Sequence, residues 1–268
     1  MGIIQSGWRS KDKNKALRWI AKTAGVSISL RDAVLYASDR EIQIAALERI
    51  TDSELLRDIA LSGLISDTEL KTAAVRQITD QRILTDLART RNKTAIETLT
   101  DQSVLYDIAV NHFFFEINPY IKQEESVKIG EMLAALAFQR LREPALKQKA
   151  ADNTTYSSVA AAYVDSVTDL SELIKLAQDN RVNTRCRAFA IGKISDQSVL
   201  LALALGDGDS CVRRAAMRRV TDPEQRILFC EECGHEWEHI RSENKENGEF
   251  RYTDYFYRCK WCGKETCI

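Results

Sequence analysis

One pattern recurs along this chain and leaves few folds open to it. An aliphatic residue is followed by Thr or Ser, then Asp, then an apolar stretch closed by a small residue. It occurs as ERITDSELLRDIA from Glu48, RQITDQRILTDLA from Arg76, ETLTDQSVLYDIA from Glu97, DSVTDLSELIKLA from Asp165, GKISDQSVLLALA from Gly192 and RRVTDPEQRILFC from Arg218. The aliphatic anchors Ile50, Ile78, Leu99, Val167, Ile194 and Val220 are separated by 28, 21, 68, 27 and 26 residues. Such a period is that of a repeated supersecondary unit. The long gap leaves room for further units without the motif.

Each part of the pattern has a physical reason. Thr or Ser before Asp is a helix N-cap signal, because a side-chain oxygen there accepts from unsatisfied backbone N–H groups and Asp suits the positive helix end. Thr51 with Glu54, Ser38 with Glu41 and Ser66 with Glu69 read as capping boxes. After the cap, Leu55, Leu56, Ile59 and Ala60 fall at helical spacing. Val104, Leu105, Ile108 and Ala109 repeat that stripe, as do Val199, Leu200, Leu203 and Ala204. Four residues before the anchors stand Ala46, Ala74, Ala95, Ala190 and Ala216, small enough for close helix approach, with Tyr163 the exception. Each unit therefore reads as two short antiparallel helices that bury their stripes only when units stack. With three prolines and eleven glycines the chain is poor in the turns an all-β sandwich needs.

The stretches DGDSCVRRAAMRRVTD from Asp207 and NTRCRAFAIGKISD from Asn183 resemble the Asp…Val-Arg-x-x-Ala pattern of HEAT-like repeat proteins. Other short helical solenoids, such as the leucine-rich-repeat variant, are the nearest rivals. The resemblance covers roughly residues 14–229 and implies an all-α fold, an α-solenoid of short helical pairs. The Val-Arg pair is clear only in the last unit, so the resemblance implies the family's ladder of polar contacts there and leaves it open elsewhere. The middle departs from the pattern. ESVKIGEMLAALAFQRL from Glu125 reads as a longer helix with Ile129, Met132, Leu133 and Leu136 on one face. In NHFFFEINPYIK from Asn111, Phe113, Phe114 and Phe115 cannot share one helix face. They are expected in a helix pair packed into the solenoid, with a partner groove as the sharper reading.

Five of the seven cysteines lie near the C-terminus. Cys230-x-x-Cys233-Gly and Cys259-x-x-Cys262-Gly are matched knuckles: each turn brings two thiolates to one point, and the glycine relieves the tight backbone. HEWEHIR and EFRYTDYFYR read as strands around a loop, SENKENG. Together these features resemble a zinc ribbon, giving domains 1–229 and 230–268, a small β zinc-ribbon module following the solenoid. One structural Zn2+ is expected on Cys230, Cys233, Cys259 and Cys262, with Cys267, His235 or His239 as alternative ligands. Four thiolates close the shell and leave no place for a catalytic water. No βαβ pattern supports a thioredoxin-like use of the cysteines. Cys186 and Cys211 read as small buried residues on or beside apolar slots. Cys230 falls in the slot held earlier by Ala60, Ala88, Ala109, Ala177 and Ala204, so the ribbon begins where a repeat would have ended. A docked ribbon would cover the end repeat, as a capping unit does.

Arg214, Arg218, Arg258, Lys260 and Trp261 mix charge with an aromatic ring, the composition of a nucleic-acid contact. Against it, residues 201–268 hold 11 basic and 13 acidic side chains, and the whole chain carries a net charge of -1. Arg214 and Arg218 should lie opposite the stripe of Val212, Ala215 and Ala216, and Arg219 should complement its helix dipole. No uncharged apolar run approaches bilayer length, so no transmembrane segment is expected. With no signal-peptide pattern, a cytoplasmic protein is expected. MGIIQS fits the myristoylation pattern at Gly2, a minor option beside a short frayed end. No phosphate-binding glycine loop, G-x-S-x-G or H-E-x-x-H occurs, so no enzyme is expected. The expected function is a non-enzymatic interaction scaffold with an unidentified protein partner; the alternative is a nucleic-acid-binding module built on the ribbon and the adjacent arginines.

Overall fold

The computed structural model describes residues 7–111, 115, 122–233, 235–247, 250–260 and 262–267, with side chains described throughout except at 232–233, 245–247, 250–252, 254 and 267. Among the described residues, sixteen α-helices precede a small three-stranded antiparallel sheet, an all-α architecture with a β module. No helix among them is long and apolar enough to cross a membrane. The chain forms two compact units, one of residues 1–150 and 154–159, the other of 151–153 and 160–268.

The first unit holds α1 (Lys13–Lys22), α2 (Ile28–Tyr36), α3 (Arg40–Arg49), α4 (Ser53–Leu61), α5 (Thr68–Gln77), α6 (Gln81–Arg89), α7 (Lys93–Thr98), α8 (Gln102–Val110) and α9 (Gln123–Arg140). Residues of α10 (Pro144–Asn153) and α11 (Ser157–Ser166) belong to both units. The closest packing joins the second helix of one repeat to the first of the next: α2 to α3, α4 to α5, α6 to α7 and α8 to α9. Ala46, Ala74 and Ala95 are fully buried, as close helix approach requires. The anchors close the first helix of each repeat. The N–H groups of Ile50 and Ile78 donate to Leu47 and Val75, and both side chains are buried.

The caps fall one residue later than the sequence suggests. Asp52, not Thr51, is the N-cap of α4, and its carboxylate accepts from the Glu54 and Leu55 amides at 2.9 and 3.3 Å. Asp39 and Asp67 likewise displace Ser38 and Ser66 at α3 and α5. No capping box forms, because a full negative charge answers the exposed amides better than a hydroxyl does.

Two polar ladders tie neighbouring repeats. The first residue of one helix reaches the N-cap of the equivalent helix in the next repeat: Lys13 to Asp39 at 3.0 Å, Arg40 to Asp67 at 3.0 Å and, in the second unit, Thr184 to Asp209 at 2.8 Å. Glutamines following the cap make the other. Gln81 Oε1 accepts from the Thr100 amide at 2.8 Å, Gln102 Oε1 from Arg142 at 2.9 Å and Gln197 Oε1 from Thr221 at 2.9 Å. Polar contacts between repeats thus run through both units, built by residues other than the Val-Arg pair.

The irregular middle conceals one more anchor. Helix α9 ends at Arg140, and Leu141 donates to the Phe138 carbonyl at 3.1 Å and is buried, as the other anchors are except the half-buried Val167. The Arg140 guanidinium donates to the Leu99 carbonyl at 3.0 Å. The buried stripe of α9 is Gly130, Leu133, Ala134, Ala137 and Phe138, which shares only Leu133 with the expected set of Ile129, Met132, Leu133 and Leu136. Met132 is 51% exposed, and Ile129 and Leu136 are half-buried. Gly130 faces the fully buried Tyr156 ring, where an added Cβ would meet it at 3.5 Å, an ordinary contact. Phe115 is buried; Phe113 and Phe114 lie outside the described residues.

The second unit contains α12 (Leu170–Gln178), α13 (Thr184–Lys193), α14 (Gln197–Gly206), α15 (Ser210–Met217) and α16 (Pro223–Cys233), then β1 (Trp237–Asn247), β2 (Phe250–Cys259) and β3 (Glu265–Cys267) in the order β1-β2-β3. SENKENG is therefore mostly strand rather than loop, since β1 continues in register to Asn247 opposite Phe250. Arg187 is buried, donating to the Ala177 carbonyl at 2.9 Å and pairing with Asp207. Cys186 is buried as expected, but Cys211 is exposed. It precedes Val212, which takes the inward position on α15.

Candidate metal centre

Helix α16 delivers the first thiol. Asp222 stands before Pro223, whose fixed φ suits a first helical position. Counting from the Val220 anchor, Phe229 and Cys230 take the inward positions held by Ile59 and Ala60 after Ile50. Both are buried, at 2% and 1% exposure, whereas Ile227 and Leu228 are each 46% exposed. The buried residues at this end are thus Val212, Met217, Val220 and Phe229, without Ile227 and Leu228. Cys230 and Cys259 belong to one core with these residues, and Cys262 packs against it.

The second knuckle is a tight turn at the end of β2. Gly263 takes φ +75 and donates to the Cys259 carbonyl at 3.0 Å, a left-handed backbone that favours glycine. The Cys259 amide donates to Lys264 O at 2.8 Å, and the Lys260 amide donates to Glu236 O at 2.9 Å. That last bond holds the chain just after His235 against the knuckle.

Cys230, His235, Cys259 and Cys262 each offer a ligand atom, and these atoms lie within 4.8 Å of one another. Cys230 Sγ is 3.6 Å from Cys259 Sγ, and Cys262 Sγ is 3.5 Å from His235 Nδ1. Tetrahedral zinc, with bonds of about 2.3 Å to sulfur and about 2.0 Å to nitrogen, spaces its ligand atoms by about 3.5–3.8 Å. The group fits a metal ion of that preference. Burial raises the Cys230 thiol above its ordinary range, and the Cys259 and Cys262 thiols raise it further. A bound cation would reverse this by stabilising the thiolate.

The structure thus brings together three of the four expected cysteines; the Cys233 side chain lies outside the described residues. His235, an alternative ligand from the sequence, joins them. Its ring lies 4.8 Å from that of Trp237, tilted 34°. His239 stands apart on the hairpin, 2.8 Å from Ser242 Oγ and edge-on to Tyr257. The Cys267 side chain and Trp261 are outside the described residues.

The basic candidates lie close to carboxylates. Arg258 donates to Glu265 at 2.7 Å and Lys260 to Glu236 at 3.0 Å. Lys260 first, then the fields of Arg218 and Arg214, lower Glu236 below the usual carboxylate range. Arg214 and Arg218 are exposed, and Arg219 donates to the Ile194 carbonyl at 3.1 Å, complementing the end of the neighbouring helix rather than its own. A cleft of about 320 Å³ opens beside the thiols, walled by Pro223, Arg226, Glu238, Arg258, Lys260 and Gly263.

Comparison of the chain with protein-family models, with curated proteins and with solved structures found no match.

Proposed function

We propose that the chain is a non-enzymatic protein-interaction scaffold: a HEAT-like helical-repeat body, residues 1–229, whose last repeat is covered by a structural zinc ribbon, residues 230–268. One observation carries this reading. Cys230 and Cys259 lie in the same core as Val212, Met217, Val220 and Phe229, so an ion held there would fasten the sheet over the end of the repeats. A terminal repeat needs such a cover, and a module this small gains its stability from metal. Zinc is the ion of choice for clustered thiolates, and four protein ligands leave no position for a reactive water. Thiolate ligation suits a reducing compartment such as the cytoplasm.

Nucleic acid is the weaker reading, because Arg258 and Lys260 are paired with Glu265 and Glu236. The first test is metal content: one zinc per chain is expected, with Cys259→Ser losing it. Full zinc in that variant contradicts the assignment. The second is capture of partners from native extract with and without nuclease. A protein retained through nuclease treatment supports the scaffold, and a catch lost to nuclease moves the assignment to nucleic acid.

A further inference from the structure

The four clustered donors, together with Cys233 from the sequence motif, make five candidates for the four positions of zinc. Cys230, Cys259 and Cys262 supply three sulfurs, leaving one place in a four-coordinate shell. We propose that His235 fills it through Nδ1, so that the centre is three thiolates and one imidazole, and Cys233 is not a ligand. This rests on the metal reading above and goes beyond it by naming the ligand set.

Three observations carry the proposal. First, Nδ1 of His235 is 3.5 Å from Cys262 Sγ, the edge length of a zinc tetrahedron, and within 4.8 Å of the other two sulfurs. Second, the ring is held in place: it lies against Trp237, and the next residue, Glu236, accepts from the Lys260 amide inside the second knuckle. Ligands fixed in this way need little reordering to bind. Third, the charge is better matched. Four thiolates around Zn2+ carry a net charge of about −2, three with a neutral imidazole about −1. Glu238 and Arg226 line the cleft beside Cys259 and Cys262, while Arg258 and Lys260 are paired with carboxylates. In partly buried surroundings the less negative centre costs less to desolvate.

X-ray absorption of the zinc-loaded full chain tests this directly, with three sulfurs and one nitrogen expected around the metal. Cys233→Ser should keep one zinc per chain and leave that sulfur count unchanged. His235→Ala should either weaken zinc binding by at least about tenfold or recruit a fourth sulfur, and the double variant should lose the metal. Four sulfurs in the wild-type protein would overturn the ligand assignment and leave the structural-zinc reading standing. So would zinc lost from Cys233→Ser while His235→Ala keeps the wild-type spectrum. A wild-type chain that holds no metal would overturn both.

Discussion

The caps show how a single carboxylate sets a helix start. At Asp101 the Ser103 hydroxyl and the Val104 and Ser103 amides hold the carboxyl below its ordinary range. At Asp196 the Ser198 hydroxyl leads, while at Asp80 and Asp169 the amides of Arg82 and Ser171 do. Asp179, bonded to the Arg181 guanidinium and amide, is lowered to about 2. A carboxyl whose folded value lies below the unfolded one stabilises the fold above the unfolded value, and that contribution fades as pH falls through the folded value. Since an unfolded Asp titrates near about 3.9, the melting temperature should hold down to about pH 5 and drop between about pH 4 and pH 2; an unchanged midpoint at about pH 3 contradicts this. The cap position is separately testable. Asp52→Ala should cost about 1 kcal/mol, while Thr51→Ala should cost clearly less, because Thr51 makes no cap bond to α4. Equal losses in denaturant melts would restore the threonine as cap. The Thr-Asp dipeptide was legible in the sequence as a helix start; which of its two oxygens does the capping was not, because both stand within reach of the same amides until the backbone turn is known.

At the scale of the helix, the apolar periodicity was sufficient to read the repeat. Ala190 and Ala216 were legible as close-contact positions, and both are fully buried. The seventh anchor was missed because Leu141 is followed by Arg-Glu-Pro rather than Thr-Asp. Its identity lies in geometry, a buried leucine closing a helix before a new one. The glutamine ladder was also hidden, since its partners are backbone amides and leave no residue signature. Gln197 Oε1 serves both the amide and the hydroxyl of Thr221, while Nε2 reaches the Arg219 carbonyl at 3.3 Å. Gln197→Ala should therefore destabilise by about 1 kcal/mol and raise hydrogen exchange at the Thr221 amide. Exchange unchanged at Thr221 would mean that the ladder is a surface decoration without energetic weight.

For the molecule as a whole, the question is how far the metal's influence spreads. The thiols were legible from spacing alone. That Cys230 rides on a helix was also written in the sequence, since it falls in an alanine slot of the repeat. The nearness of His235 to Cys262 was not, because it depends on how Glu236 pairs with the second knuckle. The helices of the first unit bury their stripes against one another, through Leu56, Ile59, Leu84, Leu87, Leu105 and Ile108, and none of these contacts uses the metal. In the second unit, Cys259 and Phe229 belong to one core with Val212, Met217 and Val220. Removing zinc with a chelator should therefore lower the helical circular dichroism only slightly. It should raise amide exchange at Met217, Val220 and through residues 223–267, while protection at Leu56 and Leu84 stays as it was. Loss of most helical signal would mean that the ion organises the entire chain. Unchanged exchange at Val220 would mean that the sheet is an appendage rather than a cover, and the second unit would then have to protect the end of its core without it.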